Sequence, residues 1–355
     1  MVTRRTSWAY VAAVLLLTGV STATAKYSGG TGEPNDPYQI ATAADLIALG
    51  ETPEDYDKHF LLTADIDLDP NLPGRKVFDR AVIAPDIHWN GTLGLFVGGF
   101  SGVFDGHGHT IAHLTIRGTK NLGLLGVLAS SGELRDLWTA DVSIVGSEDN
   151  VGGLVGSNAG TVTQCHYAGT VGGKSDVGGL AGINAGTVTQ SHSTGAVSGS
   201  YQCVGGLVGR NDVSVITCCY STAGVTGIEC VGGLIGASTW DCGNYWRLTP
   251  PSKFCDLGVV ARCYSAGVVT GVRSVGGLVG SGCGYDVTGS VWDTETSGQT
   301  TSAGGTGKTT AEMRTGATFL DAGWDFVGET ANGTEDIWWI DEGKDYPRLW
   351  WELDN

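Results

Sequence analysis

Apolar residues in this chain come in short runs separated by glycine and polar residues, and one phrase is said five times. It is Val151-Gly152-Gly153-Leu154-Val155-Gly156, repeated at 177–182, 204–209, 231–236 and 275–280. The spacings from each copy to the next are 26, 27, 27 and 44 residues. Each copy places one Leu at the same phase: Leu154, Leu180, Leu207, Leu234 and Leu278. Downstream of each phrase stands an apolar residue followed three positions later by a small one: Val162 and Cys165, Val188 and Ser191, Ile216 and Cys219, Val260 and Cys263, Val287 and Ser290. The same spacing runs back as Leu134 and Leu137, then Ile111 and Leu114. Leu and Cys exchange at one position, so that position faces an apolar interior.

No run has helical periodicity. Val, Ile and Thr suit strands, and the pattern predicts three short strands per unit with glycine supplying positive φ at the corners. A unit of 27 residues cannot bury its own apolar face and must stack on its neighbours. The expected fold is all-β: a parallel, right-handed β-helix or solenoid, rising one strand spacing, about 4.8 Å, per coil. Short helix-containing caps are expected at both ends, because an open coil end exposes unpaired backbone.

These phrases resemble the GLUG motif, a short repeat of bacterial secreted and surface proteins, here Gly153-Leu154-Val155-Gly156 and its equivalents. Phe100 to Ile111 resembles the leading coil of such proteins, and Tyr346-Pro347-Arg348-Leu349 resembles a segment on which they end. The resemblance implies a β-solenoid in an extracellular setting, in adhesin-like or peptidase-associated contexts. It implies no catalytic residues.

The predicted organisation is a signal peptide at 1–25, an N-terminal cap with leading strands at 26–99, the solenoid at 100–295 and a Trp-rich C-terminal cap at 296–355. The signal reading rests on Arg4 and Arg5, the apolar stretch Trp8 to Val20 and the small residues Ala23-Thr24-Ala25. A membrane anchor is the other reading of that stretch, though it is short for a span. Thr42 to Asp45 and Thr309 to Glu312 read as capping boxes opening short helices. Gly304 to Thr309 is only superficially a phosphate loop, since Ser302 stands where the first glycine is required.

Composition narrows the function. The chain has 355 residues, 58 of them Gly, with 16% charged and a net charge of −17. That acidity disfavours nucleic acid and anionic membrane as partners. Localisation is expected to be secreted or cell-surface, with no membrane insertion after signal removal. No cofactor is expected.

The candidate chemistry is sparse. Asp65, Asp67 and Asp69 fall on one strand face, as a weak calcium set or as a solvated outer face, the latter preferred. Asp105-Gly106-His107-Gly108-His109 reads as turn chemistry before it reads as a metal or acid/base cluster. Cys203 with Cys230, and Cys219 with Cys263, share a phase in adjacent coils and form either disulfides or a reduced ladder. The long 44-residue unit carries 17 extra residues within 237–257. This insertion holds Trp240, Tyr245, Trp246, Arg247 and Phe254, with Cys242 and Cys255 placed to pin it. Its aromatics suit a glycan or a surface protein, or fold down as a private cluster. The expected function is non-enzymatic exported binding or adhesion. The alternatives are a polysaccharide-degrading enzyme of β-helix type and a scaffold of a surface assembly.

Overall fold

The computed structural model describes residues 26–85, 87–90, 95–238, 258–282 and 286–353. The protein is a parallel β-solenoid. Each repeat wraps once round, contributing one strand to a five-stranded sheet, one to a six-stranded sheet and between one and three to a twenty-stranded sheet. In one coil these are Val151–Gly152, Val155–Asn158 and the long strand Thr161–Gly173. Successive coils pair in parallel and in register, Val151 with Val177, Val204, Val231 and Val275 in turn.

Register puts like on like, and the core is a set of columns. Leu154, Leu180, Leu207, Leu234 and Leu278 are each 0% exposed. Full burial of one such Leu contributes about 2 kcal/mol. A second column runs Phe60, Phe104, Leu134, Val162, Val188, Ile216 and Val260. At one corner a buried amide ladder takes over: Asn158 Nδ2 donates to Asn184 Oδ1 at 2.7 Å, and Asn184 Nδ2 to Asn211 Oδ1 at 2.8 Å.

The glycines of the phrase serve close approach. A Cβ on Gly153 would lie 2.2 Å from the Tyr167 ring, and one on Gly277 would lie 2.0 Å from the Trp292 ring. Here the expectation that glycine supplies the positive-φ corners needs correction. One left-handed corner is built by Asp136, Gln164, Gln190, Cys218 and Arg262, at φ between 44° and 52°. The N–H groups of Gln190, Cys218 and Arg262 donate to Thr217, Ala261 and Thr288 of the next coil at 3.1, 3.0 and 2.9 Å. Coil closure imposes the conformation, and the inter-coil bonds offset its cost of about 1–2 kcal/mol per residue.

Helix α1, Ala43–Gly50, buries Ala43, Leu46 and Leu49 in the core beside Ile40, on the outermost strand. Thr42 and Asp45 form its capping box. Beyond the last coil come α2 (Thr294–Ser297), α3 (Thr310–Met313), capped by Thr309 and Glu312, and α4 (Gly316–Leu320). The chain then folds back along one flank of the solenoid.

Candidate functional site

The insertion residues Trp240, Tyr245, Trp246, Arg247 and Phe254, with Cys242 and Cys255, lie outside the described residues. Its root is described. Strand Ile235–Ser238 leads out of the coil and Val259–Ala261 re-enters it. Ala237 packs on Cys203 and Cys230. In register with Ala237, Arg210 of the preceding coil sits 3.3 Å from Asp176 and 3.4 Å from Asp212. Burial pushes the Asp176 carboxyl up to about 6 against the pull of Arg210, and the Cys203 thiol hydrogen-bonds to it. The insertion thus springs from a largely buried charged cluster.

No disulfide joins Cys203 to Cys230 or Cys219 to Cys263. The second pair belongs to a reduced ladder. Cys219 Sγ contacts the Thr217 carbonyl at 3.1 Å and Cys263 Sγ the Ala261 carbonyl at 3.2 Å. Cys219 N–H points at Cys263 Sγ, 3.4 Å away, just as Cys165 N–H donates to Ser191 Oγ at 3.1 Å. Each Sγ or Oγ in the column, from Cys165 through Ser191, Cys219 and Cys263 to Ser290, turns to the carbonyl two residues before it and not to its neighbour in the next coil. A disulfide needs two sulfurs to converge. Cys203 is turned to Asp176 instead.

The acidic residues of the leading strands are spent locally. Asp65 Oδ1 accepts from Thr110 N–H at 2.9 Å and faces His109 Nδ1 at 3.2 Å. Asp67 Oδ1 accepts from Asp69 N–H at 2.9 Å and faces His113 Nδ1, also at 2.9 Å. Asp69 Oδ1 is taken by Asn71. These three carboxylates are therefore not gathered round one point as calcium requires. The hydrogen bond to Asp67 holds the His113 imidazole above its ordinary range.

Among the described residues, one set of potential ligand atoms converges within 4.8 Å: Asp105, His107 and Asp136. Its geometry is that of a turn. Asp105 Oδ1 accepts from His107 N–H at 2.9 Å, and its Oδ2 from Arg135 Nε at 2.9 Å. Both oxygens of Asp105 are occupied, one of them by Arg135, which also pairs with Glu133 at 3.0 Å.

The most elaborate surface is one that single-strand alternation conceals. Trp138, His166, His192, Tyr220 and Tyr264 stack outward in register on successive coils. The rings of His192 and Tyr220 lie 4.4 Å apart at 5°, and those of Tyr220 and Tyr264 4.8 Å apart at 4°. The folded-back C-terminal segment covers them. Trp351 meets Trp138 edge-on at 5.2 Å and donates to the Gln190 carbonyl at 3.2 Å. Tyr264 Oη donates to the Pro347 carbonyl at 2.7 Å. The signal was legible: His166, His192, Tyr220 and Tyr264 each directly follow the small residue of the repeat.

No family model matches the chain. A stretch of 150 residues is 31% identical to Halomucin of Haloquadratum walsbyi, covering 40% of this chain and 2% of that protein. Another of 148 residues is 33% identical to a proposed Gly-rich membrane protein of Evansella cellulosilytica, covering 38% of this chain and 15% of that one. The chain therefore spans only a small part of the length of the curated relatives it matches. In three dimensions it is similar to a proposed immunoglobulin A1 protease from Bacteroides ovatus, with TM-score 0.62, 17% identity, and 92% and 96% of the two chains covered.

At that identity the likeness is one of fold. It agrees with the stacked coils and carries no residue roles. Among the described residues no helix is long and apolar enough to cross a membrane.

Proposed function

We propose that this protein is an exported β-solenoid, divided as the sequence suggests, that binds partners at the cell surface or outside the cell and performs no chemistry there. The observation that carries the reading is the in-register stack itself. It spends its repeated positions on packing and leaves variation to one coil, whose extra residues depart between Ser238 and Gly258. Insertions of this kind concentrate on a binding face. The partial match to a Gly-rich membrane protein and the signal-like residues 1–25 support the setting. Glycans and surface proteins are the partners its aromatics suit.

The test has two arms. N-terminal sequencing of the exported protein should begin at Lys26. The mature chain should bind intact cells or a glycan array, and deleting 239–257 should abolish this while the circular dichroism stays β. Retention in the cytoplasm, or binding unchanged by the deletion, would overturn the proposal.

A hydrolase is the second reading, favoured by His113 with Asp67 at 2.9 Å and Asp141 at 3.8 Å. Asp67 orients the imidazole through Nδ1, and Nε2 would act as general base once it has lost its proton. Release of reducing ends, or protein cleavage lost on His113→Gln, would decide for it.

A further inference from the structure

Two imidazoles stand in the middle of the column of outward rings. His166 and His192 stack 4.2 Å apart at 26°. Trp138 meets them edge-on, at 5.0 and 6.2 Å, and Tyr220 lies flat on the other side of His192. The C-terminal segment closes the site from outside, with the Trp351 ring 5.4 Å from that of His192. His192 is 3% exposed, and the Nδ1 atoms of both imidazoles are enclosed without a hydrogen-bond partner.

Such a pair suits only the uncharged state. A proton on one ring places a cation in a dry aromatic site, and protons on both set like charges 4.2 Å apart. The facing groups do not compensate. On the solenoid side they are the Trp138 indole, the Thr194 hydroxyl, 3.4 Å from His166 Nε2, and the Tyr220 ring. From the C-terminal segment come Arg348, which is paired with Asp345 and repels a proton on His192, and Glu352. Glu352 Oε2 lies 3.8 Å from His192 Nε2, beyond hydrogen-bond reach. It already accepts from the Tyr220 hydroxyl, and Oε1 accepts from Leu349 N–H. Burial raises this carboxyl above its ordinary range, so a fall in pH that charges the rings also discharges Glu352.

Coils and cover are held differently. The coils share in-register ladders along every strand. Beyond ring packing, the segment is tied to the column by Tyr220 to Glu352, Tyr264 to the Pro347 carbonyl and Trp351 to the Gln190 carbonyl. Charge on the rings is therefore relieved by lifting the segment, which wets both imidazoles, and not by parting the coils. We propose that residues 346–353 form an acid-released strap: protonation of His166 and His192 lifts it from the flank and bares rings on five successive coils, while the coils stay stacked. This rests on the packing of the flank and is independent of the proposed binding role.

Hydrogen–deuterium exchange of the full mature chain tests it, at about pH 7.5 and about pH 4.5, expressed as protection factors so that intrinsic rates drop out. Protection within 346–353 should fall about tenfold or more on acidification, while Val155–Asn158 and Ala181–Asn184 keep theirs. The double variant His166→Phe with His192→Phe keeps two flat rings and should hold the strap closed at both values. Should it fail to fold, His192→Phe alone should cut the acid-induced loss about threefold or more. Glu352→Gln should leave acid release in place, since the rings and not the carboxylate are the trigger. A strap equally protected at both pH values overturns the proposal. So does release that persists in the histidine variants, release abolished by Glu352→Gln, or protection lost equally from strap and coils.

Discussion

The Tyr220 hydroxyl donates to Glu352 Oε2 at 2.8 Å, across 132 residues of sequence. The last turn of the described chain is thereby clasped to a coil in the middle of the solenoid. Trp338, Tyr346 and Trp351 lie over the same stacked rings. The C-terminal segment is thus a cover along the flank, and several observable consequences follow from that clasp and from the columns beneath it.

Tyr220→Phe keeps the ring stack and removes only the hydroxyl. Glu352, whose carboxyl burial already pushes above its ordinary range, then loses a donor. The expected cost is about 1–3 kcal/mol, the penalty of leaving a buried acceptor unmade. Urea unfolding followed by tryptophan fluorescence measures it; an unchanged midpoint would show that the clasp contributes nothing.

Acid should loosen the cover. Burial lowers His166 to about 4 and His192 well below 6.5, and the Nδ1 atoms of both lack partners. Across about pH 4 to 6.5 the unfolded chain binds more protons, so this stabilisation is complete above 6.5 and is lost as pH falls through the window. For His166 the swing is about 3 kcal/mol. Asp176 and Glu352, raised by burial, oppose it, since their stabilisation fades as pH rises. His166→Tyr keeps an aromatic ring against His192, removes one of the two imidazoles and should flatten part of the acid limb of a stability–pH curve. Parallel curves for the two proteins would refute the role of the buried imidazole.

Two glycine positions should respond oppositely to alanine. At Gly277 the new Cβ meets the Trp292 ring at 2.0 Å, so Trp292 must move, at a cost of about 3 kcal/mol. At Gly172 the only atom within 4 Å is Ser198 Oγ at 3.3 Å, and the backbone is not left-handed. Gly172→Ala should be neutral or stabilise by about 0.5 kcal/mol through the unfolded chain. Equal effects in thermal denaturation would mean that close approach is not what the phrase requires.

Cys219 and Cys263 should be recovered as separate alkylated thiols when the protein is denatured without reductant and mapped by mass spectrometry. In the folded protein, where both are fully buried, alkylation should wait on unfolding. Cys263→Ser should cost under about 1.5 kcal/mol, because serines already occupy the column at Ser191 and Ser290. A peptide joining Cys219 to Cys263 would contradict the ladder.

The period, the coil and the buried Leu of each phrase were readable from residues alone. A side chain recurring at one phase of a stack meets its own copies, so composition at that phase reports the environment directly. Thr42–Asp45 and Thr309–Glu312 were readable for a similar reason, since a capping box is completed within four residues. Three things were decided only in three dimensions. Arg262 and Gln190 hold left-handed corners because coil closure and inter-coil hydrogen bonds outweigh their own preference. Cys219 and Cys263 stay reduced because shared phase fixes spacing but not rotamer. The outward rings from Trp138 to Tyr264 read as solvent-facing within any one strand, and they become a second core only when the chain returns from over a hundred residues away. Local pattern reports what lies within a coil and between copies; it holds no record of which distant segment will cover an outer face.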